Sequence, residues 1–92
     1  MPTILVSLPA PFHRAAGGAG ELAAEGDTVA LALTSLRAGH PAVARLFLDE
    51  NDEPRRGVSL FLNGSDLKAF GGLGTPLQPA DRLAVVLLMA GG

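Results

Sequence analysis

The residues that could do chemistry in this chain are few, and their types exclude most reactions. There is no cysteine, so no thiol nucleophile, thiolate metal site or disulfide framework is available. Neither histidine, His13 or His40, has a second good ligand at metal-binding spacing, and each reads as a capping or surface residue. Ser7, Ser35, Ser59 and Ser65 fall in no nucleophile-elbow pattern. Gly71-Gly72-Leu73-Gly74 lacks the lysine and following hydroxyl residue of a phosphate loop and opens no helix, so turn geometry is its reading. What remains is Gly91-Gly92. Glycine has no Cβ, so a carboxylate carried on two glycines can enter a channel too narrow for any side chain. Such a tail suits handling by another protein, although chain ends are often small and polar without a function.

The element that must present this tail is the run just before it. Leu83-Ala84-Val85-Val86-Leu87-Leu88 is apolar at consecutive positions, set between the turn-like Gln78-Pro79-Ala80-Asp81 and the glycines, and predicts a strand covered on both faces at the centre of its sheet. Residues 3–8 form a first strand with Ile4, Val6 and Leu8 on one face, stopped by Pro9 and Pro11. Gly17, Gly18 and Gly20 suit a wide turn into a short second strand over 21–24. Asp27 or Thr28 can cap a helix whose stripe is Val29, Ala32, Leu33 and Leu36, ending at Gly39. Pro41 is well placed to open a further short helix over 41–47.

Residues 49–57 are strongly charged, acidic then basic, and read as a solvated loop. Val58 to Leu62 is a third strand ended by Asn63-Gly64, and 65–77 is an irregular piece holding one short strand. The order predicts an α+β domain: a mixed sheet of four to five strands with one main helix packed on one face. The helix covers only that face. In the last strand Leu83, Val85 and Leu87 alternate with Ala84, Val86 and Leu88, and only one set can lie under the helix; the other, outward set, joined by Leu5 or Phe61, is either an exposed apolar patch beside the tail or a surface that loops cover.

At 92 residues the chain is a single domain spanning 1–92. The hydrophobic share is 48% but the charged share only 17%, below the usual quarter, which leaves apolar surface for a partner. A net charge of −2 with scattered Lys and Arg disfavours nucleic acid. No signal-peptide pattern and no run of membrane-spanning length is present, so a cytoplasmic protein is expected.

Leu60-Phe61-Leu62-Asn63-Gly64, then 66–77 from Asp66-Leu67-Lys68 to Thr75-Pro76-Leu77, then Pro79-Ala80-Asp81-Arg82-Leu83-Ala84-Val85-Val86 and the closing Ala90-Gly91-Gly92 resemble, in that order, the ubiquitin-like sulfur carrier proteins of the MoaD/ThiS family. The branch most similar holds the molybdopterin synthase small subunit (MoaD) and the carrier for cysteine biosynthesis (CysO). Gly26-Asp27-Thr28-Val29 and Leu5-Val6-Ser7-Leu8-Pro9 fit the same family. The resemblance implies a β-grasp fold and a carrier, not an enzyme, whose working group is the Gly92 carboxylate, with Gly91 giving it reach. In the family an E1-like adenylating enzyme of the MoeB/ThiF type uses ATP and Mg to make an acyl-adenylate. Sulfur then replaces AMP, and the thiocarboxylate supplies a sulfur-accepting biosynthetic enzyme. A free carboxylate is a poor acyl donor, so activation as a mixed anhydride is chemically required. No metal or cofactor is expected on the chain itself.

By the same resemblance Leu67 and Val86 match positions that line partner surfaces, and with Phe61, Leu88, Met89 and Ala90 they form the expected partner-binding set. The tail departs from the family in having no proline shortly before the glycines. Phe70-Gly71-Gly72-Leu73 and the length lean toward the cysteine-biosynthesis or secondary-metabolite type, with the molybdopterin synthase small subunit as an alternative. A protein modifier joined to lysines through Gly92, or a non-covalent binding module using only its sheet, are the readings from other classes.

Overall fold

In the computed structural model, residues 1–69 and 71–88 are described. The elements are β1 (Thr3–Ser7), β2 (Glu21–Glu25), α1 (Val29–Gly39), α2 (Pro41–Phe47), β3 (Val58–Leu62), β4 (Ser65–Asp66) and β5 (Arg82–Leu87), with 3-10 turns at Ala10–Phe12, Leu67–Ala69 and Gly72–Gly74. The five strands form one mixed sheet in the order β2-β1-β5-β3-β4. The apolar run of β5 does lie at the centre, parallel to β1 and antiparallel to β3.

The faces follow from the period of two. Ile4, Val6, Leu60, Leu62, Leu83 and Val85 point under the helices and are nearly inaccessible to water. From the other side α1 contributes Val29, Ala32, Leu33 and Leu36 and α2 contributes Val43, Ala44 and Phe47. Phe12, carried on the 3-10 turn after β1, stacks on Phe47 with ring centroids 6.1 Å apart. Burial of these aliphatic and aromatic groups is the main stabilising term, each full side chain contributing roughly 1.5–3 kcal/mol before entropy is subtracted.

The start of α1 is set by local chemistry. Thr28 is extended and its Oγ1 accepts from the Leu31 amide at 3.3 Å, so Thr28 is the cap; Asp27 instead pairs with the amino terminus of Met1 at 3.6 Å. Thr28→Ala is expected to cost about 1 kcal/mol in thermal or urea unfolding, the usual value of a lost N-cap. Pro41 occupies the first turn of α2, where its missing N–H costs nothing.

Two expectations need correction. Strand β1 stops at Ser7 and not Leu8, although the Leu8 amide still donates to the Gly20 carbonyl at 2.8 Å. The charged loop 49–57 is not merely solvated. Arg37 on α1 donates Nε to Asp52 Oδ1 at 2.5 Å and Nη2 to the Asp49 carbonyl at 2.7 Å, and the Arg55 amide donates to the Phe47 carbonyl at 2.8 Å. Asp52 thus forms an ion pair with a helix residue, while Glu50, Glu53, Arg55 and Arg56 are exposed as expected.

Candidate functional site at the end of the last strand

Strand β5 is the element that delivers the chain toward Gly92, and its two edges differ. On the β1 side, pairing ends at Ser7–Ala84, because Pro9 cannot extend the ladder. On the β3 side it continues to Val58–Leu87, and the Leu88 amide then donates to the Gly57 carbonyl at 2.7 Å. Gly57 has φ +86°, a left-handed conformation that favours glycine, and it joins the charged loop to β3. The tail therefore leaves the sheet from a point fixed by the loop that Arg37 staples to α1.

The acidic half of that loop is organised around Asp49. Its Oδ1 accepts from the amides of Asn51 at 2.8 Å and Glu53 at 3.1 Å. Those bonds, helped by the nearby Arg55 and Arg37 guanidinium groups, hold its carboxyl below its ordinary 3.8 because they favour the ionised form. The folded-state value lies below the unfolded one, so the contribution is complete above about pH 4 and is lost as pH falls through the folded value. Asp49→Asn is expected to flatten the acid limb of the stability curve below about pH 4, measured by urea unfolding across pH.

The outer face of the sheet beside this exit is largely apolar and half-buried. Phe61 pairs with Ala84 and Ser59 with Val86; Phe61, Ala84 and Val86 are half-buried, as is Leu5. Leu88 is 52% exposed. Ser59, on the same face, is 6% exposed, so this face is partly covered. At its far end Arg82 pairs with Glu21 across β1.

Leu67 is placed differently from Phe61, Val86 and Leu88. It is 4% exposed and belongs to the core, and it lines a groove with Leu60, Leu73 and Leu88. Met89, Ala90, Gly91 and Gly92, with Phe70, lie outside the described residues. Among the described residues no group of three His, Asp or Glu side chains gathers as a metal site. His13 donates through Nε2 to the Leu8 carbonyl, 2.9 Å away, and His40 joins α1 to α2. Among the described residues no helix is long and apolar enough to cross a membrane.

With this geometry established, comparison with known proteins is decisive. The ThiS family profile matches residues 6–92. The chain belongs to the ThiS family. Among curated ThiS-like relatives, the sulfur carrier protein CysO of Mycobacterium tuberculosis is 26% identical over 91 residues, covering 97% of this chain and 98% of that protein. Among solved structures, a chain of the Amycolatopsis orientalis BexX/CysO complex superposes with TM-score 0.83 at 25% identity, covering 97% of this chain and 99% of that one. The small archaeal modifier protein 1 of Methanosarcina acetivorans superposes with TM-score 0.84 at 28% identity, covering 100% and 98%. The ThiS-family β-grasp architecture expected from the sequence is thus the observed one.

Sequence reasoning missed Gly57, which anchors Leu88, and the Arg37–Asp52 staple behind it. A glycine directly before a strand is a usable signal for the first. Nothing in the sequence pairs Arg37 with Asp52.

Proposed function

We infer that this protein is a sulfur carrier, and that Gly92 bears the group that is loaded. The observation that carries the reading is the ThiS-family match over residues 6–92, joined to a central strand that runs out toward Gly92 from a fixed exit at Gly57 and Leu88. Loading has two steps. The Gly92 carboxylate attacks the α-phosphorus of ATP, held with Mg by an E1-like enzyme of the MoeB/ThiF type, releasing pyrophosphate. A sulfur nucleophile then attacks the acyl carbon and expels AMP, leaving a thiocarboxylate.

The carrier contributes no catalytic group. It supplies an acid without side-chain hindrance, and the apolar surface formed by Phe61, Val86 and Leu88, continued by Met89 and Ala90, is where the partner is gripped. The likeness to CysO supports an acceptor of the cysteine-biosynthesis or secondary-metabolite type over the molybdopterin synthase alternative. Use of ATP and of partner enzymes goes with a cytoplasmic site of action.

The test is incubation of the purified chain with ATP, Mg, a sulfide source and E1-like enzymes encoded near it. The expected result is an intact-mass gain of about 16 Da, sulfur for oxygen. No gain with any of them overturns the reading.

A second reading is favoured by the likeness to small archaeal modifier protein 1: Gly92 forms an isopeptide bond with lysines of other proteins. Higher-mass conjugates in cell extract that vanish when Gly92 is deleted would support it, and their absence would remove it.

A further inference from the structure

The tip of the charged loop has a backbone conformation that must be held in place. Asp52 has φ +59°, in the left-handed region that a residue other than glycine enters at a cost, aspartate less than most. Helix α1 does the holding. Thr34 and Arg37, three residues apart and so on one face of the helix, divide the Asp52 carboxylate between them: the Thr34 hydroxyl donates to Oδ2 at 3.3 Å and Arg37 Nε to Oδ1 at 2.5 Å. Arg37 Nη2 also donates to the Asp49 carbonyl at 2.7 Å, so one guanidinium grips both ends of the tip. The Arg37 and Asp52 side chains are only 36% and 28% exposed, which makes the pair stronger than one in open water.

Below the tip the loop is laced to its neighbours as far as the last strand. The Asp49 amide donates to the Glu53 carbonyl at 2.8 Å, the Arg55 amide to the Phe47 carbonyl at 2.8 Å and the Val58 amide to the Arg55 carbonyl at 3.1 Å, and Leu48 bridges Pro54. Gly57 lies between Arg55 and Val58, and its carbonyl accepts from the Leu88 amide at 2.7 Å. Pairing of β5 with β1 ends at Ala84, so among the described residues Leu88 is held from the β3 side.

We propose that Arg37 and Asp52 are positioning residues for loading. By pinning loop 49–57 to α1 they keep the Gly57 carbonyl in place, and with it Leu88, the residue from which the tail starts. This deepens the sulfur-carrier reading and rests on it. The two side chains act through the loop and not on the reacting carboxylate. A starting point that is already fixed leaves less motion to be frozen when a partner takes up the tail. Loosening it therefore raises the carrier concentration needed for half-maximal loading and leaves the chemical step alone.

The experiment reads the full chain in two ways: amide hydrogen exchange at Leu88 by NMR, and KM and kcat for loading by the E1-like enzyme of the mass assay. Arg37→Ala removes the grip, and Asp52→Asn removes its charge while keeping a residue type that accepts the left-handed backbone. Each is expected to speed exchange of the Leu88 amide about fivefold, the factor by which losing one such contact eases a local opening. Each should also raise KM about threefold or more at constant kcat. Thr28→Ala weakens the fold without touching the loop, and it should leave Leu88 exchange and KM as in wild type. A rise in Leu88 exchange below about twofold in both loop variants, an equal rise in Thr28→Ala, or faster exchange at unchanged KM overturns the positioning role and leaves the carrier reading intact. Failure of wild type to be loaded by any such enzyme overturns both.

Discussion

Replacing Gly26 with alanine is expected to lower the melting temperature by about 12–24 °C, the shift that corresponds to roughly 3 kcal/mol in a domain of this length. Gly26 sits where the chain leaves β2 and turns into α1, and its amide donates to the Pro2 carbonyl at 3.1 Å. A Cβ there would stand 2.4 Å from the Ala32 amide nitrogen and 2.8 Å from the Leu31 carbonyl carbon. Both are backbone atoms inside a helix, so no rotamer change relieves the clash, and α1 must move off the sheet. Ala32 and its neighbours Val29 and Leu33 are fully buried, so the displacement opens the core. Gly39→Ala is the control. Nothing lies within 4 Å of its Cβ position, and alanine in the last turn of a helix should leave stability unchanged or raise it by about 0.5 kcal/mol. Equal melting temperatures for the two variants by circular dichroism would contradict the packing described.

The second large effect is functional and leaves the fold alone. Deleting Gly91-Gly92 is expected to abolish the gain of about 16 Da completely, because the reacting carboxylate would then sit on Ala90, short of the nucleotide site. Gly92→Ala is expected to cut loading at least about tenfold, since a methyl group narrows the approach that glycine leaves open. The described members of the core end at Leu87, so both variants should melt within about 2 °C of wild type. A truncated chain that still gains sulfur, or one that loses its fold, would contradict the assignment. A binding module that used only its sheet would keep partner affinity after the deletion.

How much of this was legible in the sequence depends on how far each contact reaches. Strand β3 and helix α2 were predicted at their observed bounds, and the buried stripe of α1 is the one predicted, because periodicity and caps are local signals. The central place of β5 was equally clear, since only a strand covered on both sides tolerates apolar residues at consecutive positions. The ordering of loop 49–57 was hidden because it depends on Arg37, twelve or more residues away in sequence. Leu67, assigned by resemblance, lines the groove and is 4% exposed, a burial that its place in an irregular, glycine-rich stretch did not announce. The groove could not be read at all. Leu60, Leu67, Leu73 and Leu88 meet only after β3, the 3-10 turns and the end of β5 have been brought together.

The central claim is that the group handled by partners is the carboxylate of Gly92, and fragmentation mass spectrometry of the intact loaded protein tests it most directly. The account predicts that the added mass of about 16 Da resides in C-terminal fragments that include Gly92 and is absent from every N-terminal fragment that stops before it. Added mass on a methionine, such as oxidation at Met1 or Met89, or on any fragment lacking Gly92, would contradict the account.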